Sequence, residues 1–409
     1  MSVAISIESA AQVLRPAVEG LPYVRLDRAR ELTLDPGDVL IDGGSVAGFA
    51  ANGSAHTHIR ADGAAVIPGF VDCHTHLPFA GWRADEYAMK VAGVAYADIA
   101  RRGGGILASA RALADASDEE VLEQAQALAA EMLAHGTTTF ECKSGYGLSE
   151  EAELRSLALA ERLGGLVEQT TTSTALLAHA IPPGCEKDEW MRAVGRLAPR
   201  TSASALDIFV ESMAFDLDDL AAMGRLAELS GKALRAHVEQ FSTMRSVPVA
   251  LDAGARSLDH LVALHPDDLP RLAAAECAAV LLPGAELMGE EGVAPGRALA
   301  DAGAIGVLAT DANPGTSPIV SIPLIVGLAV RRYGWTIREA LCASTLNAAW
   351  VLGLADGLGS LERGKRADVL VLDCPVEHIP YRLGHNPVAI VIVGGRIVHV
   401  RADQAWRVT

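Results

Sequence analysis

The sequence predicts an α/β protein, a (β/α)8 barrel of the TIM type with a small β-domain built from both chain ends. Eight short apolar runs, each followed by a stretch with helical spacing, alternate through the middle of the 409 residues. The two ends instead carry runs of β-branched residues separated by Gly-containing turns. Half of the residues are hydrophobic but only 4% are aromatic, which suits Ala-rich helices packed on a buried parallel sheet.

The chain ends predict one composite, β-sandwich-like domain formed by residues 1–65 and 360–409. The early run DVLIDGGSVAGFA and the late runs RADVLVLD and VAIVIVGGRIVHV have the short apolar stretches and Gly-Gly turn of hairpins. Residues 66–359 then form the barrel. No internal repeat of 20 to 50 residues offers a rival architecture.

The barrel strands are predicted within eight segments: AAVIPGFVDCHTH, TTTFECKSGYG, TTSTALLAHA, ALDIFVES, KALRAHVEQ, RSLDHL, CAAVLLPG and IGVLATDANPG. Their helical partners carry start signals. Ser117, with Glu120 three residues later, predicts a capping box before VLEQAQALAAEMLAHG. Residues 86–116 predict an additional helical insertion over the barrel mouth.

The composition excludes several classes of partner. A net charge of -17 argues against nucleic acid and anionic membranes, so an anionic substrate needs a local cation. The six Cys stand singly, without a CxxC pair, which indicates reduced thiols. No apolar run reaches the roughly 18 to 20 residues of a membrane span, and the N-terminus lacks the pattern of a signal peptide. We therefore expect a soluble, cytoplasmic protein with a small-molecule substrate.

Polar side chains follow the predicted strands at the barrel face where active sites of this fold form. They are His74 and His76 after the first strand, His179 after the third, His237 and His260 at the fifth and sixth, and Asp311 after the eighth. In the extended His74-Thr75-His76 segment, alternation points both imidazoles to one side. Imidazole is the commonest protein ligand for zinc and iron, so this pattern predicts a metal site.

The physical interpretation is one divalent metal, zinc or iron, held by His74, His76, His237 and Asp311. Such an ion lowers the pKa of a water toward about 7. Asp311 can also carry a proton to a leaving nitrogen, and His260 can polarise a carbonyl. Two-metal barrels usually carry a bridging Lys after the fourth strand, where this chain offers only Glu211. Lys143, after the second strand, is expected in a structural ion pair or a substrate-side contact.

Longer motifs make a family resemblance visible. The segments PGFVDCHTHLPFAGWRADE, RRGGGILASAR, TTTFECKSGYGLSEEAEL, LLAHAIPP, HVEQFS, LDHL, VLLPGA, LATDANPGTSP, GSLERGKRADVLVLD and GHNPV resemble those of the imidazolonepropionases of the amidohydrolase superfamily. This resemblance implies hydrolysis of 4-imidazolone-5-propanoate to N-formimino-L-glutamate in histidine degradation, with zinc or iron and as a homodimer. It implies catalytic roles for His260, Asp311 and Gln240. It also implies substrate contacts from Arg83, Tyr96, Tyr146, His179, Asn313, Gly315 and Thr316.

Several of these positions have a physical rationale. Arg83 offers a planar fork for the propanoate carboxylate, although a rim salt bridge to Asp85 or Glu86 is the structural alternative. Tyr146 stands between two glycines that permit close ligand approach. Some family members carry Glu where this chain has Gln240; an amide cannot act as a general base, so that role passes to Asp311 or the metal-activated water.

Two other functions remain open at this point. One is a related metal-dependent amidohydrolase or deaminase that acts on a different small ring. The other is a barrel that retains its ligands but serves as a binding protein. The presence of both His260 and Asp311 favours an enzyme.

Overall fold

The structure is a computed structural model that describes residues 4–50, 55–289 and 292–409. Its strands are β1 (Ile5–Pro16), β2 (Leu32–Asp42), β3 (Ser45–Gly48), β4 (Thr57–Arg60), β5 (Ala65–Pro68), β6 (Phe70–Asp72), β7 (Thr137–Lys143), β8 (Thr170–Ala178), β9 (Ala205–Val210), β10 (Ala233–Val238), β11 (Ala255–His260), β12 (Ala278–Leu281), β13 (Ile305–Leu308), β14 (Val369–Leu372), β15 (Val388–Val393) and β16 (Arg396–Val400).

The helices connect and cover these strands. They are α1 (Ala84–Val91), α2 (Tyr96–Arg101), α3 (Ile106–Asp115), α4 (Asp118–Ala134), α5 (Glu150–Gly164), α6 (Lys187–Leu197), α7 (Leu217–Leu229), α8 (Ser246–Asp252), α9 (Leu269–Ala274), α10 (Pro283–Leu287), α11 (Gly296–Asp301), α12 (Ile322–Tyr333), α13 (Ile337–Ala343), α14 (Leu346–Val351) and α15 (His378–Tyr381).

The eight central strands form a parallel barrel. Each strand from β6 to β13 pairs with the next in chain order. The ring closes just beyond β6 and β13, where Thr75 and Ala312 form a parallel bridge. At this seam Asp311 N donates to His74 O at 3.0 Å, and His76 N donates to Ala312 O at 2.9 Å. The predicted (β/α)8 barrel is confirmed.

Burial explains why the barrel strands read as continuous apolar runs. Every residue of β7 and of β9 to β13 is buried, apart from Ala233 and Arg256, because helices cover the outside and side chains fill the inside. The helices present their Ala and Leu positions inward, as in α4, where Val121, Ala125 and Met132 are buried. Ser117 and Glu120 form the predicted capping box at the start of α4.

The small domain is one mixed sheet to which both chain ends contribute. Its order is β16-β15-β14-β5-β1-β2-β3, with β4 also pairing with β1. Strand β5 runs parallel to β1 and antiparallel to β14. The first predicted barrel run is therefore divided at Gly69, and the small sheet extends to Pro68, three residues past residue 65. A Cβ on Gly69 would lie 2.1 Å from the Thr138 hydroxyl oxygen. Only glycine therefore fits at this position, where the chain crosses from the small sheet to the barrel.

The helices α1, α2 and α3 form the insertion predicted over the barrel mouth, between β6 and α4. Arg83, which directly precedes α1, and Ile106, the first residue of α3, both line the cavity at the mouth. Across the described ranges, every helix is too short or too polar to span a bilayer.

Candidate active site

The carboxyl ends of the barrel strands bring the predicted polar side chains together. His74 and His76 follow β6, and His237 lies near the end of β10. One ring nitrogen from each of these three histidines falls within 4.8 Å of the others, and all three are buried. Asp311 Oδ1 lies 3.2 Å from His76 Nε2 and 3.5 Å from His74 Nε2. The three predicted histidine ligands therefore lie together, and Asp311 lies beside two of them.

The hydrogen bonds of these histidines suit a bound metal ion. Nδ1 of His74 lies 2.6 Å from an Asp259 carboxylate oxygen, and Nδ1 of His237 lies 3.1 Å from Asp207. A carboxylate at Nδ1 fixes the proton there and turns the Nε2 lone pair outward. Nε2 of both rings is buried and makes no hydrogen bond to a described residue. Such buried, unsatisfied nitrogens are costly unless an ion binds them, so the donor set fits a divalent metal.

A buried ionic network supports the histidines from below. It contains the carboxylates of Glu141, Asp207 and Asp259 and the cations Lys143 and Arg235, and each is at most 1% exposed. Lys143 Nζ lies 2.7 Å from Asp207 and 3.0 Å from Glu141. Arg235 contacts Glu141 and lies 2.9 Å from Asp259. Lys143 therefore makes the structural ion pair that was one of its two expected roles.

The charges of this network shift the pKa values of its members. Burial and Arg235 alone would lower the pKa of Lys143, but Asp207, Glu141 and Asp259 together raise it. Burial likewise opposes ionisation of Asp207, yet His237 and Lys143 hold the pKa of its carboxyl well below the usual range. Both groups remain charged, so the proton acceptor for His237 Nδ1–H is a carboxylate.

Desolvation sets the protonation of the groups that face the cavity. It holds the pKa values of His74, His76 and His179 well below the usual value, and the neighbouring cationic centres add to this shift. Burial also raises the pKa of Asp311, against the nearby His260 and His237. Neutral imidazoles are the form that binds metal, and a carboxyl with a raised pKa is a better proton acceptor.

The backbone is unusual where the strands end at this site. His260 has φ +80°, Asp311 has φ +56° and Glu239 has φ +53°, in the left-handed region that non-glycine residues rarely adopt. Glu239 is held by its carboxylate, which accepts from Ser246 N at 2.7 Å and Met244 N at 3.1 Å. His260 and Asp311, which line the cavity, thus lie at backbone positions of a kind that clusters at functional sites.

One cavity brings three of the four predicted metal ligands together with most of the predicted substrate contacts. It is lined by His76, Arg83, Ile106, Tyr146, His179, Phe209, His237, Gln240, Phe241, His260, Asp311, Asn313 and Thr316. The Tyr146 and His179 rings lie 5.3 Å apart, and His179 stacks on His76 at 5.4 Å. His179 Nδ1 lies 3.0 Å from Gly145 O, so its neutral ring donates there and keeps Nε2 as an acceptor.

Arg83 is buried at the cavity wall and forms a salt bridge with Glu86, as the structural alternative predicted, although both residues are buried instead of exposed at a rim. Its Nε donates to Glu86 Oε2 at 3.0 Å and its Nη1 donates to Ser109 Oγ at 2.5 Å. The guanidinium is therefore both paired with Glu86, one of the two expected partners, and exposed to the cavity that also holds the histidines.

The remaining predicted site residues differ in where the structure places them. Asn313 uses its amide within its own loop: Oδ1 accepts from Gly315 N and Thr316 N at 2.9 and 2.7 Å, and Nδ2 donates to Asp311 O at 2.7 Å. Gly315 packs against Arg83. Gln240 is buried at the cavity wall. Tyr96 begins α2, but its side chain lies outside the described part of the structure.

Sequence reasoning anticipated an ion pair for Lys143 and Glu86 as a partner of Arg83, but it missed the rest of the ionic network and the contact of Arg83 with Ser109. Glu141 and Arg235 precede Lys143 and His237 by two residues, so they share a face with them inside otherwise apolar strands. A charged residue in a buried parallel strand demands a partner, and this signal could have identified the network. Ser109, far from Arg83 in sequence, carries no comparable signal.

The barrel and the histidine cluster at its carboxyl-end face define a hydrolase of the amidohydrolase class, and the model of the amidohydrolase family matches residues 65–398. Named imidazolonepropionases are among the relatives. That of Rubrobacter xylanophilus is 42% identical over 82% of each chain, and that of Chloroflexus aggregans is 37% identical over 96% of this chain and 97% of its own. The chain belongs to the amidohydrolase family and, within it, to the imidazolonepropionases.

Solved structures agree on the fold. A zinc-bound adenosine deaminase from Xanthomonas campestris superposes with a TM-score of 0.69 at 18% identity, covering 98% of this chain and 93% of its own. Guanine deaminase from E. coli gives 0.69 at 16% identity, covering 98% and 100%. At these identities the likeness concerns the architecture alone.

Proposed function

We propose that the protein hydrolyses 4-imidazolone-5-propanoate to N-formimino-L-glutamate, a step of histidine degradation. The observation that carries this proposal is one cavity lined by His76, His237 and Asp311 and also by the buried guanidinium of Arg83. A small ring that bears a carboxylate suits both. The imidazolonepropionases among the relatives support this choice of ring.

We further propose one divalent metal, zinc or iron, held by His74, His76, His237 and Asp311. When bound, such an ion supplies Lewis acidity, which lowers the pKa of water and polarises a carbonyl. In the described ranges, these histidines form the one group of three or more potential ligands that could hold an ion. Lys143 is already bonded to Asp207 and Glu141, which argues against a bridging role and supports a single ion.

Three residues of the chain have separate roles in the proposed reaction. Water adds across the ring C–N bond: its oxygen joins the carbonyl carbon, which becomes a carboxylate, and the ring nitrogen leaves with a proton. Asp311, whose carboxylate lies beside His76 and His74, accepts the proton from water and passes it to that nitrogen. His260 donates to the developing oxyanion. Gln240 can orient the ring by hydrogen bonds but, as an amide, takes no proton.

The substrate-binding residues fix the ring's position. Arg83 pairs with the propanoate, as a guanidinium fork matches a carboxylate. Tyr146 and His179 present ring faces and polar tips along the wall, and Thr316 contributes a hydroxyl. Tyr96, Asn313 and Gly315 complete the proposed set, with Asn313 acting through its loop. Burial of the site excludes bulk water, which strengthens these contacts.

The deciding experiment is steady-state turnover. Imidazolonepropanoate generated enzymatically should be hydrolysed with a far higher kcat/KM than other cyclic amides, hydantoin-like rings or amino-heterocycles in the same panel. A higher kcat/KM for an amino-heterocycle, with release of ammonia, would instead make the protein a deaminase of the same class. No turnover of any member by the metal-loaded protein would leave a binding function.

The setting of this activity is also proposed. Six cysteines without disulfides among the described residues suit the reducing cytoplasm. A homodimer is proposed from the family resemblance, and its mass in solution would test that.

A further inference from the structure

The glycine-rich motif RRGGGILASAR lies beside Arg83, and no proposed catalytic step uses it. Gly105 N donates to Glu86 Oε1 at 2.8 Å. A Cβ on Gly104 would lie 2.8 Å from the same oxygen, so the turn approaches Glu86 more closely than a side chain would allow. The other carboxylate oxygen of Glu86 accepts from Arg83 Nε at 3.0 Å. The turn therefore holds Glu86, and Glu86 holds Arg83.

Two further contacts fix the guanidinium. Ser109, one turn into α3, accepts from Arg83 Nη1 at 2.5 Å. On the opposite side, a Cβ on Gly315 would lie 1.9 Å from Nη2 and 2.1 Å from Cζ of Arg83. The backbone of Arg83 also donates to Pro314 O at 2.9 Å. The guanidinium is thus enclosed between α3 and the loop that follows β13.

We propose that Glu86 and Ser109 are positioning residues that determine specificity, because they hold Arg83 ready to select rings that carry a carboxylate. This inference rests on the proposed function. It adds which residues restrict the substrates to rings that carry a carboxylate. Arg83, Glu86 and Ser109 are 7%, 4% and 2% exposed, so the assembly is shielded from water. An arginine ordered before binding loses less conformational entropy on pairing with a carboxylate than a mobile one does.

Glu86 could instead serve only to balance the charge of Arg83. The variant Glu86→Gln distinguishes this role from the positioning role. If Glu86 served only as a counter-charge, Glu86→Gln would make the cavity more positive and would lower KM for a carboxylate substrate. If Glu86 positions Arg83, Glu86→Gln should instead raise KM for a carboxylate substrate. The Gln amide must present its NH2 to Arg83 Nε or to Gly105 N, which are both donors, so one hydrogen bond is lost. The buried guanidinium also loses its charged partner and its fixed orientation.

The test compares 4-imidazolone-5-propanoate with 5-ethyl-4-imidazolone, which lacks the carboxylate. Glu86→Gln and Ser109→Ala should each raise KM for the propanoate substrate about tenfold or more, the size of one lost hydrogen bond to a charged group, with kcat little changed. KM for the ethyl compound should stay nearly constant. Asp85→Asn is the matched control: it removes an exposed carboxylate from the same first turn of α1 and should change neither substrate.

Ligand binding separates this inference from the proposed function. Calorimetry with imidazole-4-propanoate and 4-ethylimidazole, which are not hydrolysed, measures carboxylate selection without turnover. If the native enzyme fails to turn over imidazolonepropanoate but both variants still lose affinity for imidazole-4-propanoate alone, the proposed function fails and the positioning role stands. A lower KM in Glu86→Gln, or equal losses for ligands with and without the carboxylate, would overturn the positioning role. Thermal melts of each variant verify its fold.

Discussion

Histidines 74 and 260 stand 5.8 Å apart, measured between ring centroids, yet their surroundings assign them different roles. His74 is fixed at Nδ1 by Asp259 and points a bare Nε2 toward His76 and His237. His260 sits at the end of β11 on a left-handed backbone, and its ring interacts electrostatically with Asp311. One imidazole belongs to the proposed metal site, and the other to the proposed oxyanion contact.

This difference predicts two kinds of loss. His74→Ala should release the metal and abolish turnover together, because an open cluster retains little affinity. His260→Ala should keep about one ion per chain but lower kcat about 100-fold or more, the order for losing one oxyanion donor. Metal analysis of both purified variants beside steady-state kinetics checks this. A His260→Ala protein with normal kcat would remove His260 from the reaction.

Gln240 gives a prediction about pH. Since no carboxylate stands at this position, kcat/KM should rise through one ionisation between about pH 6 and 8, that of the activated water. Gln240→Glu should shift this limb modestly and leave turnover at the native order of magnitude. Rates measured from pH 5 to 9 on both proteins would show it. A gain of orders of magnitude in Gln240→Glu would mean that the native residue is tuned for another ring.

At the scale of elements, the five charged residues of the buried network lie on β7, β9, β10 and β11. We therefore expect the affinity of the proposed site for metal to depend on residues of several strands. Asp259→Asn replaces the carboxylate that orients His74 and pairs with Arg235. Metal affinity should fall about 10- to 100-fold, as for other losses of a carboxylate partner of a ligand histidine. Excess metal should restore most activity.

The control for this variant is Asp268→Asn. Asp268 is also a buried aspartate paired with an arginine, Arg245, but it contacts none of the metal-facing histidines. It should lose stability without losing metal affinity. Metal titrations of both variants against a competing chelator decide the matter, and equal affinity in the two would disprove the orienting role of Asp259.

The same elements show what could be predicted from the sequence. Strand runs, the capping box of α4 and the polar residues after strands were accessible because each depends on local spacing. The division at Gly69 was not, because it depends on Thr138, which becomes a neighbour only when the barrel folds. Likewise, Arg83 was recognisable as a cation for the substrate, but its contact with Ser109 forms only when the segment before α1 meets α3 in the folded chain. Long-range pairing of side chains leaves no periodic trace in a sequence.

For the whole molecule, the bound ion should contribute directly to stability, because its ligands come from distant strands and assemble only in the folded state. With metal at about 1,000 times its Kd, the free energy of unfolding should exceed that of the chelated protein by about 4 kcal/mol. Denaturant titrations with and without chelator, and metal counted per chain, test this. Two tightly bound ions per chain would contradict the single site.

Acid should destabilise the chelated protein through its buried histidines. The pKa values of His74, His76 and His179 are lowered in the folded state, so the unfolded chain binds more protons as pH falls below about 6.5. Their contribution is present above that pH and is lost below it, by up to about 1.4 kcal/mol per pH unit for each histidine. Asp311, with its raised pKa, acts in the opposite direction at lower pH. Unfolding free energies between pH 5 and 8 measure the slope, and a flat profile would contradict it.

The bridge between Thr75 and Ala312 joins the first and last strands of the barrel, and His74, His76 and Asp311 all flank that bridge. During synthesis on the ribosome, the two histidines emerge more than two hundred residues before the aspartate that completes their site. If Asp311 is the fourth ligand of the proposed metal site, a nascent chain should hold metal only loosely until its eighth strand docks. Binding of the ion would then report that the barrel has closed.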